Sequence, residues 1–339
     1  MCIRKILCAA LCALLLTGCA QAGPAFIPHG YLADESVAQV GGAFYAFLPK
    51  TGEAGPRTYL CELRQGQAPR PVCNRADCAH MEQSTLADPC NAYAPAGRGL
   101  LAAGDALYAG DGGRILRYDP AGGAPEVVLS TEGTLRCFLM LEESIVYSLQ
   151  GAEGFGFYRV PRGQPEEAPT ALYEQDGQGY IGCAQEIDGW LYLTEVRLNQ
   201  GGQMDLVRVR PDGSACETYA ENAGGHCLVP LEGGLAAVRQ GETGYEVVLL
   251  EESGQAVRTL CTTETRPLLC PAGDGLLVDE GLAFPAAERA LWRYESSGEL
   301  VGTVTVPAAC GAPLGADAET AYYWESTDEG PRLVQVRLP

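Results

Sequence analysis

The sequence predicts an all-β chain folded as a single β-propeller, most simply with seven blades. Three observations carry this. A unit of about 40 to 50 residues recurs along the chain, the spacing of propeller blades. Within each unit, apolar and polar residues alternate with period two, as in half-buried antiparallel strands. No stretch of ten or more residues after Cys19 keeps a helical period.

Taken in order, the first unit holds Ala43-Phe44-Tyr45-Ala46-Phe47 and Tyr59-Leu60-Cys61-Glu62-Leu63 as its second and third strands. Second strands of later units are Ala106-Leu107-Tyr108, Ile145-Val146-Tyr147, Trp190-Leu191-Tyr192, Gly275-Leu276-Leu277 and Ala321-Tyr322-Tyr323. Third strands follow in one register six times: Ile115-Leu116-Arg117-Tyr118, Phe157-Tyr158-Arg159-Val160, Leu206-Val207-Arg208-Val209, Val247-Val248-Leu249-Leu250, Leu291-Trp292-Arg293-Tyr294 and Leu333-Val334-Gln335-Val336. Turns such as Asp119-Pro120-Ala121-Gly122-Gly123 and Pro211-Asp212-Gly213 suit tight hairpins. Outer strands such as Glu126-Val127-Val128-Leu129 and Gly302-Thr303-Val304-Thr305-Val306 close the units. The last unit stops at Pro339 after its third strand, so the stretch near Phe26 to Leu32 is expected to supply the closing strand. Six or eight blades are the alternatives, since the first and last units are the least regular. A pair of β-sandwiches would also show short, regularly spaced strands. The constant order of strand types and the absence of a dividing linker favour the ring.

At the N-terminus, Arg4 and Lys5 precede an apolar run over residues 6–16, too short to cross roughly 30 Å of hydrocarbon. Leu16-Thr17-Gly18-Cys19 follows and resembles the lipobox of bacterial lipoprotein signal peptides. The resemblance implies a signal peptide over residues 1–18, diacylglyceryl and further acyl (palmitate-type) modification of Cys19, and a protein held on the extracytoplasmic face of the cell membrane; with the closing strand near Phe26, residues 19–25 are expected to be a tether and 26–339 the domain. Two or more acyl chains, at about 0.8 kcal/mol per buried methylene, anchor stably. An ordinary secretory signal with an incidental Cys19 is the alternative.

Removal of residues 1–18 takes away two of the 23 basic residues and none of the 43 acidic ones, moving the net charge from −20 to −22. Such acidity disfavours nucleic acid and anionic polymers as partners. Of fifteen cysteines, Cys2, Cys8 and Cys12 leave with the signal and Cys19 is the anchor, so eleven remain. An odd number cannot all pair within one chain.

One insertion, at 70–95, departs from the repeat and holds Cys73, Cys78, His80 and Cys90, with Cys90 opening Cys90-Asn91-Ala92-Tyr93. It resembles a Cys, Cys-x-His, Cys-Asn-Ala-Tyr segment of uncharacterised TolB-like propeller lipoproteins of Gram-positive bacteria, a group whose likeness implies a fold and an address but no activity. Three thiolates and an imidazole could hold tetrahedral zinc. Disulfide bonding with a spectator histidine, or one disulfide and a thiol, accounts for the same residues. Otherwise no cofactor is expected.

Cys137, Cys183, Cys227, Cys270 and Cys310 keep the rhythm of the repeat at intervals of 46, 44, 43 and 40 residues, each near the start of a unit. They are expected to be small buried residues near the axis, or else thiols facing one another across it. His226 beside Cys227 is a weak nucleophile pair without an orienting third group. Arg117, Arg159, Arg208 and Arg293 share a register, as a ring for an anionic ligand or as surface ion pairs with the surplus acids. No catalytic set recurs, so the chain reads as a non-enzymatic binding or sensing module for a peptide, glycan or partner protein. A glycan-processing enzyme, a thiol or metal redox protein, and a structural part of an envelope complex are the alternatives.

Overall fold

The computed structural model describes residues 37–52, 55–79, 90–94, 97–281, 288–327 and 330–339. Twenty-seven strands form seven antiparallel sheets among them, each taking its strands in chain order. Blade 1 comprises β1 (Val37–Val40), β2 (Ala43–Gly52), β3 (Gly55–Leu63) and β4 (Arg70–Pro71). Blade 2 comprises β5 (Gly97–Ala103), β6 (Ala106–Asp111), β7 (Arg114–Tyr118) and β8 (Glu126–Ser130). Blade 3 comprises β9 (Thr134–Met140), β10 (Ser144–Gln150), β11 (Gly154–Pro161) and β12 (Thr170–Asp176). Blade 4 comprises β13 (Gly179–Ile187), β14 (Trp190–Arg197), β15 (Gln203–Val209) and β16 (Cys216–Ala220). Blade 5 comprises β17 (Ala223–Leu231), β18 (Gly234–Gln240), β19 (Tyr245–Leu250) and β20 (Ala256–Thr263). Blade 6 comprises β21 (Leu268–Ala272), β22 (Gly275–Asp279), β23 (Arg289–Tyr294) and β24 (Leu300–Val306). Blade 7 has three described strands, β25 (Cys310–Ala316), β26 (Thr320–Thr327) and β27 (Gly330–Arg337). The strand expected near residues 26–32 lies outside the described residues. Seven blades replace the six- and eight-bladed alternatives and the pair of sandwiches.

The first strands touch from blade to blade, β1 to β5, β5 to β9 and onward to β25, which places them around the common axis. Their burial shows it: every residue of β25 is buried, whereas β8, β20 and β24 are largely exposed. Small side chains suit that crowding, as in Cys-Gly-Ala-Pro-Leu-Gly-Ala of β25. Six clusters of buried apolar side chains lie between neighbouring blades, so each sheet is stabilised on both faces by the next. Ring closure is made by aromatic packing. Phe44 of blade 1 and Tyr322 of blade 7 sit with centroids 5.2 Å apart, and Trp324 and Leu333 pack on the same cluster.

The five cysteines of the repeat all fall in first strands and are at most 3 % exposed. The register-sharing arginines lie on third strands instead, away from the axis. Arg117 meets Glu126 at 3.3 Å and Arg208 meets Glu217 at 2.6 Å, each pair bridging third and fourth strands of one blade. Arg159 and Arg293 donate to the carbonyls of Pro211 and Pro339. They form no ring.

Blades 6 and 7 are also joined by a buried polar network. Arg289 Nε donates to Asp279 at 2.6 Å, Tyr323 Oη donates to the other oxygen at 3.0 Å, and the rest of the guanidinium caps the carbonyls of Cys310 and Gly311. Every strong group in it has a partner, so its cost of desolvation is offset where it stands. Removing one partner leaves a charge alone in the core. Arg289→Met is expected to lower the unfolding free energy by about 3–5 kcal/mol in urea denaturation; a loss under about 1 kcal/mol would show that the network does not clamp the two blades.

Candidate functional site

Two places gather chemistry. The first is the insertion between blades 1 and 2. Leaving β4, the chain is pinned residue by residue: Val72 N donates to Leu60 O, Cys73 N to Pro71 O, and Asn74 N to Gly122 O at 2.9 Å. On the far side, Asn91 Nδ2 donates to the same Gly122 carbonyl at 2.8 Å, Tyr93 N to Cys90 O, and Ala92 O accepts from Leu60 N. Gly122, in the β7–β8 turn of blade 2, has φ +95°, and a Cβ there would lie 2.7–2.8 Å from backbone atoms of Cys73 and Asn74. Only glycine allows this approach.

This scaffold brings the sulfurs of Cys73, Cys78 and Cys90 within 4.8 Å of one another, Cys90 buried and the other two partly so. Burial opposes ionisation of Cys73, but the backbone N–H groups of Arg75 and Asn91 and the neighbouring thiols donate to its sulfur, and its pKa falls below the ordinary thiol value. Cys90 moves the other way: burial and its two thiol neighbours raise its pKa, opposed by the N–H of Ala92. Three sulfurs so placed could hold a soft metal ion. His80 lies outside the described residues. No disulfide links the described cysteines.

The second place was not singled out by sequence. Since β9, β13, β17 and β21 all run in one sense from the connections that precede them, Arg136, Tyr180 and Arg266 stand at one rim of the ring. The Arg136 guanidinium lies 5.3 Å from the Tyr180 ring centre and donates to Gln150 Oε1 at 2.8 Å. Arg266 pairs with no carboxylate among the described residues. Its Nη2 lies 3.0 Å from Met204 Sδ and its Nε is buried without a partner. Burial pulls its pKa down, opposed by Tyr245, Tyr180 and Cys183. Beside Gln150, at the same rim, a cleft of about 590 Å³ opens in blade 3, lined among others by Glu153, Phe155, Tyr158, Glu174 and Asp176. Only proximity in space could have revealed it.

The thiols of the first strands are chemically quiet. Burial pushes Cys137 up to about 12 against the opposing hydroxyl of Ser148, and holds Cys183 and Cys270 well above the usual thiol range. Cys227 is buried too; the side chain of His226 lies outside what the structure describes, so the proposed pair is not placed.

No family model and no curated protein matches the chain. Solved structures match it in fold. One of two prolyl endopeptidases studied for inter-domain dynamics aligns at TM-score 0.54 and 13% identity, over 92% of this chain and 48% of its own. A puromycin-hydrolysing peptidase of Mycobacterium tuberculosis aligns at 0.52 and 14%, over 80% and 44%. TolB of Acinetobacter baumannii aligns at 0.46 and 13%, over 78% and 64%. The chain spans less than half the length of either peptidase. At these identities the likeness shows the β-propeller alone, and of these three the two peptidases, above 0.5, carry it.

Two outcomes follow from this geometry. Gly122→Ala is expected to destabilise the protein by about 1–3 kcal/mol in thermal or urea unfolding, because the new Cβ meets backbone on both sides of Cys73; an unchanged midpoint would mean that the insertion is not held by this contact. With a pKa near 12, a thiol is about 10⁻⁴ ionised at pH 8. Alkylation of native protein at pH 8 should therefore modify exposed Cys216 and spare Cys137, Cys183, Cys227 and Cys270 until denaturant is added, and rapid labelling of those four would contradict their burial.

Proposed function

We propose that this chain is a lipid-anchored, extracytoplasmic propeller that binds or senses an envelope ligand without transforming it. The ligand face is the rim carrying Arg136, Tyr180, Arg266 and the blade 3 cleft. The carrying observation is that this rim joins a basic, aromatic patch at the axis to an acidic, aromatic cleft through Gln150. A cleft of that volume falls within the range of small-ligand sites. Its mixed charge and aromatic rings suit a peptide or a glycan, and its position on a ring of net charge −22 disfavours nucleic acid.

A second feature concerns the acids of the core. Each buried carboxylate among the described residues is held by an arginine: Glu62 by Arg64 and Arg70, Asp111 by Arg114, Glu195 and Asp205 by Arg197, Asp279 by Arg289. General acid–base work needs a proton-exchanging group facing the substrate; these five acids are committed to structure, so the acids open to a ligand are those of the cleft, Glu153, Glu174 and Asp176. The lipid anchor rests on Leu16-Thr17-Gly18-Cys19.

Glycan and peptide arrays probed with the purified domain should yield saturable binding without product. The double variant Arg136→Ala and Tyr180→Ala should weaken it at least tenfold at an unchanged melting temperature; each 1.4 kcal/mol lost is about tenfold. Turnover of a bound compound, or binding indifferent to both substitutions, would remove this reading. Fractionation tests the address: Cys19→Ala should shift the protein from the membrane pellet to the soluble extracytoplasmic fraction, and a variant still in the pellet would end the anchor proposal.

A further inference from the structure

The thiol cluster beside blade 1 has a geometry that a ligand explains better than packing does. We propose that Cys73, Cys78 and Cys90 bind one Zn²⁺ ion as a structural clamp on the connection between blades 1 and 2.

The spacing comes first. Tetrahedral zinc with Zn–S bonds of about 2.3 Å sets its sulfurs about 3.8 Å apart, and the three sulfurs here all lie within 4.8 Å of one another. A disulfide of about 2.05 Å would join only two of the three sulfurs. Hydrogen bonding gives a second and independent indication. The backbone N–H groups of Arg75 and Asn91 point at the Cys73 sulfur, and that of Ala92 points at the Cys90 sulfur. Donors two residues beyond a cysteine stabilise a thiolate that also serves a metal, and orient it as outer-shell partners do.

Preorganisation is the third. The segments carrying Cys73 and Cys90 are both tied to the carbonyl of Gly122, through Asn74 N and Asn91 Nδ2, so two of the ligands are positioned by blade 2 and not by the ion. Soft thiolates select zinc or copper(I) over magnesium and calcium. On binding, each thiol gives its proton to the buffer and its sulfur lone pair to the ion, with no change of oxidation state.

The clamp ties Cys73 and Cys78, which follow β4, to Cys90, which precedes β5. Where the ion binds only the folded loop, its removal costs stability that grows with the logarithm of its concentration over its dissociation constant.

The test is metal analysis of the full chain, purified anaerobically under a thiol reductant. It should contain about one zinc per chain, lose thermal stability on chelation, and regain it with Zn²⁺ alone. Cys73→Ala/Cys78→Ala should hold less than about a tenth of an equivalent, while Cys216→Ala, on exposed β16, should keep its zinc. Since the double variant could perturb folding, Co²⁺ exchange into the unaltered chain gives a second readout: thiolate-to-cobalt charge-transfer absorption with tetrahedral d–d bands is expected. A chain without stoichiometric zinc or cobalt absorption, copper in its place, or zinc retained by the double variant would each overturn the proposal.

Discussion

Seven sheets sharing one axis leave little room where they meet, and that crowding governs the rest of the molecule. The first strands must touch their neighbours on both sides, so they carry Cys, Ala, Gly and Pro where outer strands carry Glu, Arg and Thr. The rhythm of Cys137, Cys183, Cys227, Cys270 and Cys310 is a product of this crowding, not of chemistry. A thiol there is a small apolar side chain with a suppressed tendency to ionise.

Crowding at the axis displaces polar chemistry outward. The acids that remain buried are each tied to an arginine, and one of them, Asp279, uses that tie to join two blades. Such groups confer little net stability against an apolar replacement, yet cost much if half removed. What remains for recognition lies at the ends of the ring and at its edge: a rim where arginine and tyrosine stand beside a cleft, and an inserted loop whose cysteines converge. The first is suited to contacting a ligand. The second is the site proposed to hold the loop's own shape.

Much of the fold is legible in sequence because strand alternation is local. Second and third strands such as Ile145-Val146-Tyr147 and Phe157-Tyr158-Arg159-Val160 fall inside β10 and β11. Elements that are short or weakly patterned are not legible, as β1 and the two-residue β4 show. Cross-blade contacts are invisible for another reason. Phe44 with Tyr322, and Asp279 with Tyr323, meet only because the ring closes or because two blades stack, and no local pattern encodes either. The shared register of Arg117 and Arg208 was readable, but their partners Glu126 and Glu217 are set by the third-to-fourth strand pairing. In the insertion, spacing nominates the cysteines. Their convergence depends on Gly122, about thirty residues beyond Cys90 in a different blade.

If first-strand packing around a closed ring is the controlling constraint, the blades cannot open one at a time. Native-state hydrogen exchange read by mass spectrometry tests this directly. Amides of β9, β13, β17, β21 and β25 should exchange last and together, at the free energy of global unfolding, well after β8, β20 and β24. Blade-by-blade exchange at separate free energies, or first strands exchanging as fast as the outer ones, would contradict the account.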